Sequence, residues 1–174
     1  TAHAYAAYFC SPFRGEVLVL TLDGEGDGLC GTVSIAQDGL LHRVTSTPYY
    51  SSLGLIYLAA TQFLGMKPNE HEYKVMGLAP YAYSRDVEKI YEPISCLLRF
   101  RDRASFTSCI NARYAYDWFK AHCVGYRFDW IAGAVQRLCE EAVSSWVTNV
   151  TRDHGIRRLA LGGGVFMNVK ANMI

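Results

Sequence analysis

The alternation of hydrophobic and polar positions predicts three strands near the start of the chain. Residues 16–22 form a nearly unbroken apolar run of strand length, which is typical of a strand buried on both faces. Two more strand patterns follow at 30–36 and 40–47, and short turns rich in glycine and aspartate separate the three. We therefore expect an antiparallel meander.

Most of the remaining patterns are helical. A long segment beginning at Asp129 and ending at Gly155 has its apolar residues on one face, and Ser51-Ser52 can cap a helix that follows it. A weaker stretch after Asp86 mixes short helices with a polar patch that could hold one or two short strands. The predicted helical segments are 1–9, 53–64, 70–79, 86–98, 111–121 and 129–155, with the short strands within 99–105.

The order of these elements indicates the fold class. A last strand at 158–161 runs into Gly162-Gly-Gly164, and a new helix is expected from about Val165. Three strands, a helix, an excursion at about 86–125, a long helix and a final strand suit an α/β domain of the ribonuclease H-like type. Such a domain has a mixed sheet with helices on both faces, and its ligands lie outside the strand ends.

The acidic glycine-rich stretch after the first strand is the first candidate site. Asp23 offers a carboxylate, while Gly24 and Gly26 allow close approach of a ligand to the backbone. Phosphates and their metal ions fit that combination. An ordinary hairpin turn would have the same residue types, so both interpretations stay open at this point.

The glycine run after the last strand is the second candidate. Gly163 and Gly164 precede an expected helix start, where free N–H groups favour anions. Asn168 and Asn172 would share one helix face and could donate hydrogen bonds to a ribose or a phosphate. The alternatives are a tight strand-to-helix turn and solvated asparagines.

The segment at 70–79 and the first helix supply the remaining candidates. Glu72 could bind a ribose hydroxyl, Lys74 a phosphate, and Gly77 could let a ligand lie against the backbone. A surface helix of mixed charge is the alternative. His3 stands among alanines, which leave room for a metal or a substrate, but one histidine does not make a site.

Composition limits the function classes. With 174 residues and a net charge of +1 the chain suits one domain and carries no basic stripe for nucleic acids or membrane surfaces. Six cysteines without a CxxC pair predict reduced, mostly buried thiols in a cytoplasmic protein. Because the chain starts without Met within a helical pattern, we expect a fragment of a longer protein.

Motifs spread over nearly the whole chain resemble those of the O-carbamoyltransferase family, which includes nodulation-factor and antibiotic carbamoyltransferases. The Lys74-Val-Met-Gly77-Leu-Ala-Pro-Tyr81 run is the most specific of them. The other matching motifs are Ala2-His3-Ala4, Ser11-Pro12-Phe13, Asp23-Gly24-x-Gly26, Glu72, Gln136 and Gly163-Gly164-Val165-x-x-Asn168-Val-x-Ala171-Asn172.

The resemblance implies an N-terminal domain of the actin–hexokinase superfamily that transfers a carbamoyl group to a hydroxyl of a small-molecule acceptor such as a sugar or an antibiotic. It implies that a separate C-terminal domain, not present in this chain, makes carbamoyl-adenylate from carbamoyl phosphate and ATP. It also implies a metal, iron in this family, held by a histidine pair and a later aspartate. His3 matches the second histidine and would be metal ligand, catalytic base or both.

The resemblance leaves the acceptor and the oligomeric state open. The sequence departs from the family pattern at Asp27, Ala82 and Phe166-Met167, each of which could alter the pocket. Two other functions stay open: a phosphotransferase of the same superfamily, and a nucleotide-binding module without catalysis.

Overall fold

The computed structural model describes residues 1–174 and contains six helices and six strands. The helices are α1 (Ala2–Phe9), α2 (Leu53–Phe63), α3 (Glu72–Leu78), α4 (Ser84–Ser95), α5 (Ala115–His122) and α6 (Phe128–His154). The strands are β1 (Val17–Gly26), β2 (Leu29–Gln37), β3 (Leu40–Pro48), β4 (Arg99–Phe100), β5 (Phe106–Thr107) and β6 (Leu159–Gly162). None of the helices is long and apolar enough to cross a membrane.

The main sheet has the strand order β3-β2-β1-β6. The first three strands pair antiparallel, so the predicted meander is confirmed. Strand β6 joins beside β1 in parallel, with Leu18 opposite Leu159 and Thr21 opposite Gly162. The sheet is therefore mixed, and the ends of β1 and β6 meet at one edge of it.

Both faces of β1 are buried, as its apolar run predicts. Leu18, Leu20 and Leu22 are fully buried in a cluster that includes residues of α2 and α6. Val17 and Val19 point the other way, into a smaller cluster with residues of α1 and β6. Because side chains alternate across a strand, the continuous apolar run supplies a core on each face, with helices on both.

The excursion shares the main core. Ile90 of α4, Phe106 of β5 and Phe119 of α5 are buried in the same cluster as the long helix α6. The short strands predicted within 99–105 exist as a hairpin, but its second strand starts later, at Phe106. Its Phe106 N–H donates to Thr47 Oγ1, which attaches this hairpin to β3.

Two segments that adjoin the glycine-rich candidate sites differ from the prediction. Strand β1 does not end before Asp23 but continues to Gly26, past an irregularity in its pairing, and turns at Asp27-Gly28 with φ of 54° and 74°. The tip is thus an ordinary two-residue hairpin turn.

The helix expected from about Val165 does not form as an α-helix. The chain forms two 3-10 helices, Gly164–Met167 and Ala171–Met173, because Asn168 Oδ1 accepts the N–H of Ala171 and competes with helical bonding.

Candidate functional site

A cavity of about 420 Å³ opens where the end of β1 meets α2, α3 and the turn after β6. Its volume lies within the range of small-molecule sites. Five of the residues singled out in the sequence line it: Asp23, Gly24, Glu72, Gly164 and Asn168. The other lining residues are Leu53, Gly54, Tyr57, Leu58, Asn69, Glu70, Tyr73, Met76, Cys139, Val165 and Met167.

The wall between β1 and α2 depends on Ser52 and Gly54. Ser52 caps α2 by accepting the Leu55 N–H, and its hydroxyl lies 3.0 Å from the Asp23 carbonyl oxygen and 2.6 Å from that of Gly24. A Cβ on Gly54 would lie 2.7 Å from the Asp23 carbonyl, so only glycine lets the helix come this close. Sequence reasoning missed Gly54, although a glycine in the first turn of a capped helix is a signal of close approach.

The opposite wall is the turn after β6. Gly163 has φ of 97°, and a Cβ there would lie 2.4 Å from the Leu22 carbonyl oxygen. This turn therefore lies directly on the backbone of β1. The next residue, Gly164, aims its N–H at Asp23 Oδ1, at 3.3 Å. Gly163 thus shapes the site through packing, while Gly164 faces the cavity.

Asp23 joins the cavity to His3. Its Oδ2 lies 2.6 Å from His3 Nε2, and its Oδ1 also accepts the N–H of its neighbour Gly24 at 2.8 Å. His3 itself does not line the cavity. It reaches the rim from α1, on the face of the sheet opposite α2, and its side chain is 57% exposed. The two side chains form a dyad in which the carboxylate orients the imidazole.

The described residues do not form a metal centre on their own. No three side chains of histidine, cysteine, aspartate or glutamate converge anywhere in the chain. His3 and Asp23 offer two donor atoms of suitable chemistry, fewer than a metal site needs. The chain therefore does not by itself fit the iron that the resemblance implies.

The α3 wall is acidic and apolar. Glu72 Oε1 accepts the Asn69 N–H at 2.7 Å, which leaves Oε2 for a ligand. Tyr73 and Met76 lie beside it, and Glu70 on the adjoining loop pairs with Lys67. No lysine or arginine lines the cavity, so its polar side suits hydroxyl donors better than free anions.

Three of the predicted binding residues lie away from the cavity. Gly26 sits at the hairpin tip, and a Cβ there would meet nothing within 4 Å. Lys74 and Gly77 belong to α3 but do not line the cavity, which Glu72, Tyr73 and Met76 face instead. Helical periodicity explains why some residues of α3 line the cavity and others do not, because positions 72, 73 and 76 share a helix face that positions 74 and 77 do not share.

Asn168 lies at the cavity floor inside a buried amide network. It forms a reciprocal pair with Gln136 of α6, with N–O distances of 2.9 and 3.0 Å. Tyr57 donates to Gln136 Oε1 at 2.8 Å, and Gln136 also donates to Glu140 at 2.7 Å. Burial raises the pKa of Tyr57, which keeps it a donor. Asn168 is thus engaged within the protein, and ligand contact would have to displace or extend that network.

Replacing Gln136 by leucine should destabilise the domain by about 2–4 kcal/mol, because it leaves the buried Tyr57 hydroxyl without its acceptor and the half-buried Asn168 amide without its two bonds to Gln136. Chemical denaturation measures this free energy of unfolding. Gln62→Leu, at an exposed position of α2, is the control and should change stability by less than about 0.5 kcal/mol. Equal effects of the two substitutions would contradict the network.

Comparison with known proteins gives the family. The family described as "Carbamoyltransferase N-terminus" matches residues 1–174. The chain belongs to this family. The prediction made from the sequence motifs is therefore confirmed at the level of the family.

Relatives of this carbamoyltransferase domain cover 98% of the chain. They include an uncharacterized protein from Synechocystis at 32% identity, nodulation protein NolNO from Sinorhizobium fredii at 31% and nodulation protein NolO from Bradyrhizobium diazoefficiens at 30%. The matched region makes up 30%, 25% and 31% of those proteins, respectively. The chain thus spans about a third or less of their length.

The structure locates the departures from the family pattern. Asp27 is at the hairpin turn and exposed, and Ala82 packs near Gly133 of α6. Phe166 is buried and stacks on Trp146, with ring centroids 6.4 Å apart. Of these four residues, only Met167 lines the cavity of this carbamoyltransferase domain.

Proposed function

We propose that this domain binds the adenosine part of carbamoyl-adenylate in the cavity and transfers the carbamoyl group to a hydroxyl of a small-molecule acceptor. The observation that carries the proposal is the meeting of Asp23, Glu72 and Gly164 in one cavity, with His3 hydrogen-bonded to Asp23 at its rim. Carbamoyl phosphate and ATP would be the sources of the adenylate, which an adenylate-forming domain outside this chain would make.

The α3 wall supports a nucleoside at this position. Tyr73 and Met76 offer apolar surface to a base, and the free oxygen of Glu72 can accept hydrogen bonds from ribose hydroxyls. On the opposite wall Gly164 lines the cavity without a side chain, and its N–H holds the Asp23 carboxylate there. Adenosine would span the two walls.

His3 is proposed as the base. With the proton of Nε2 directed at Asp23, Nδ1 is free to take the proton of the acceptor hydroxyl. The hydroxyl oxygen forms a bond to the carbamoyl carbon, the bond from that carbon to the phosphate oxygen breaks, and AMP leaves with the electron pair. Asp23 then stabilises the imidazolium.

The lining of the cavity supplies no cation for phosphate chemistry of either kind. Phosphoryl transfer depends on cations that stabilise the transferring group, and no lysine or arginine lines the cavity. Charge on the adenylate phosphate would need balancing by groups outside the lining residues. As the alternative to its role as base, His3 would offer Nδ1 as one ligand to a metal, such as iron, that residues beyond this chain complete.

AMP binding to the 174-residue chain, measured by titration calorimetry, tests the nucleoside site. Glu72→Gln should weaken AMP binding about 10-fold, because it replaces a charged acceptor of ribose hydroxyls while keeping an oxygen for the Asn69 N–H. Binding by the parent chain should itself be weak, since part of the contacts is supplied from elsewhere.

Glu92→Gln is the matched control, since Glu92 is an exposed residue of α4 outside the cavity. It should bind AMP as the parent does. If the parent shows no binding at millimolar AMP, or if both substitutions weaken it equally, the nucleoside assignment is wrong.

A further inference from the structure

Two cysteines of the excursion lie side by side. The Sγ atoms of Cys96 and Cys109 are 3.2 Å apart, although the residues are 13 positions apart along the chain. Cys96 follows the last residue of α4, and Cys109 follows β5. A disulfide would bring the sulfurs to about 2.05 Å, a movement of roughly 1 Å that side-chain rotation can supply.

This pair differs from the other thiols. The sequence predicts mostly buried cysteines, and Cys30, Cys123 and Cys139 are indeed buried. Cys109 is exposed and Cys96 is half-buried, so a reagent in solution can reach them. Burial, followed by the hydrogen bond to Cys109, raises the pKa of Cys96 to about 11, so Cys109 is the thiol expected to react first.

The segment between the two cysteines contains the β4–β5 hairpin, which is attached to the core mainly through its second strand. Phe106 packs against Trp146, with ring centroids 5.4 Å apart, and the Trp146 indole donates to the Ala104 carbonyl at 2.7 Å. The strands themselves contain only two residues each. Such a short hairpin gains stability from a covalent link across its base.

We propose that Cys96 and Cys109 form a reversible disulfide that fastens the β4–β5 hairpin to the domain under oxidising conditions. The oxidant is a low-molecular-weight disulfide of the glutathione type. This inference is independent of the nucleotide site and of carbamoyl transfer.

The exchange balances in two steps. The Cys109 thiolate attacks one sulfur of glutathione disulfide, whose S–S bond breaks and releases one glutathione thiolate. The Cys96 thiolate then attacks the Cys109 sulfur of the mixed disulfide and releases the second glutathione. The two cysteine protons end on the two glutathione thiols, so the protein loses two hydrogens and one glutathione disulfide is reduced.

Incubation of the 174-residue chain with glutathione disulfide, followed by intact mass and peptide mapping, tests the proposal. The expected product is lighter than the parent by about 2 Da and contains a Cys96–Cys109 cross-link, and dithiothreitol restores the parent mass. Its melting temperature should rise by roughly 5–10 °C, and amide exchange at 99–107 should slow.

Single substitutions at each sulfur provide the controls. Cys10→Ser removes another exposed cysteine and should still yield the cross-linked product. Cys96→Ser and Cys109→Ser should each prevent it, and Cys96→Ser should retain one glutathione on Cys109. A stable glutathione adduct on Cys96 or Cys109 of the parent, a cross-link through Cys10, or a cross-linked hairpin with unchanged exchange would overturn the proposal.

Discussion

Replacing His3 by alanine should lower carbamoyl transfer by roughly 10²–10⁴-fold, the usual contribution of a positioned acid–base group. The imidazole is the only side chain hydrogen-bonded to the Asp23 carboxylate, whose other partners are backbone N–H groups that cannot act as a base. The effect is measured as the rate at which carbamoylated acceptor forms. The protein used joins this domain to the regions that its relatives have outside the matched part. Because the side chain is 57% exposed, the fold should stay intact.

His42→Ala is the matched control, because His42 is an exposed histidine of the edge strand β3. Its turnover should equal that of the parent. Asp23→Asn should give an intermediate loss, since the amide keeps the size of the carboxylate but stabilises the imidazolium poorly. Turnover of the His3 variant within about twofold of the parent would contradict a base at this position.

Replacing Gly163 by alanine should destabilise the domain by about 4 kcal/mol or more, the largest stability effect we expect. The added Cβ would lie 2.4 Å from the Leu22 carbonyl oxygen, and φ of 97° is unfavourable for any side chain. The β1 backbone cannot move without disturbing its pairing with β2. Thermal unfolding should show a melting temperature lower by roughly 8–16 °C.

Substitutions at two other glycines distinguish the two causes of this loss of stability, backbone strain and steric clash. Gly39 also has positive φ, at 81°, but open space around it, so Gly39→Ala reports backbone strain without a clash. Gly26 has neither positive φ nor a neighbour within 4 Å, so Gly26→Ala should change stability least. If Gly163→Ala cost no more than Gly39→Ala, the close contact with β1 would be disproved.

The sequence predicted the sheet better than the segments beside the site. The apolar run of β1 and its short turns determine burial and pairing locally, so the meander and the parallel β6 could be inferred. The end of β1 could not, because its extension beyond Asp23 depends on pairing with β2. The segment after Gly164 looked helical, and only the bond from the Ala171 N–H to Asn168 Oδ1 shows why it is not.

The site was partly predictable for a similar reason. Asp23 follows the apolar run of β1, Glu72 begins α3 and Gly164 follows β6, and topology brings such positions together. Lys74 was assigned to the site by residue type alone, without knowledge of which face α3 presents. The dyad of His3 with Asp23 could not be predicted, because it depends on how α1 packs across the sheet, a contact between distant parts of the chain.

A crystal structure of this chain soaked with AMP would test the central claim most directly. The account predicts adenosine in the cavity, with its ribose hydroxyls within 3.2 Å of Glu72 Oε2 and its phosphate toward the turn at Gly164. Nucleotide bound on another surface, with this cavity empty at millimolar AMP, would contradict it.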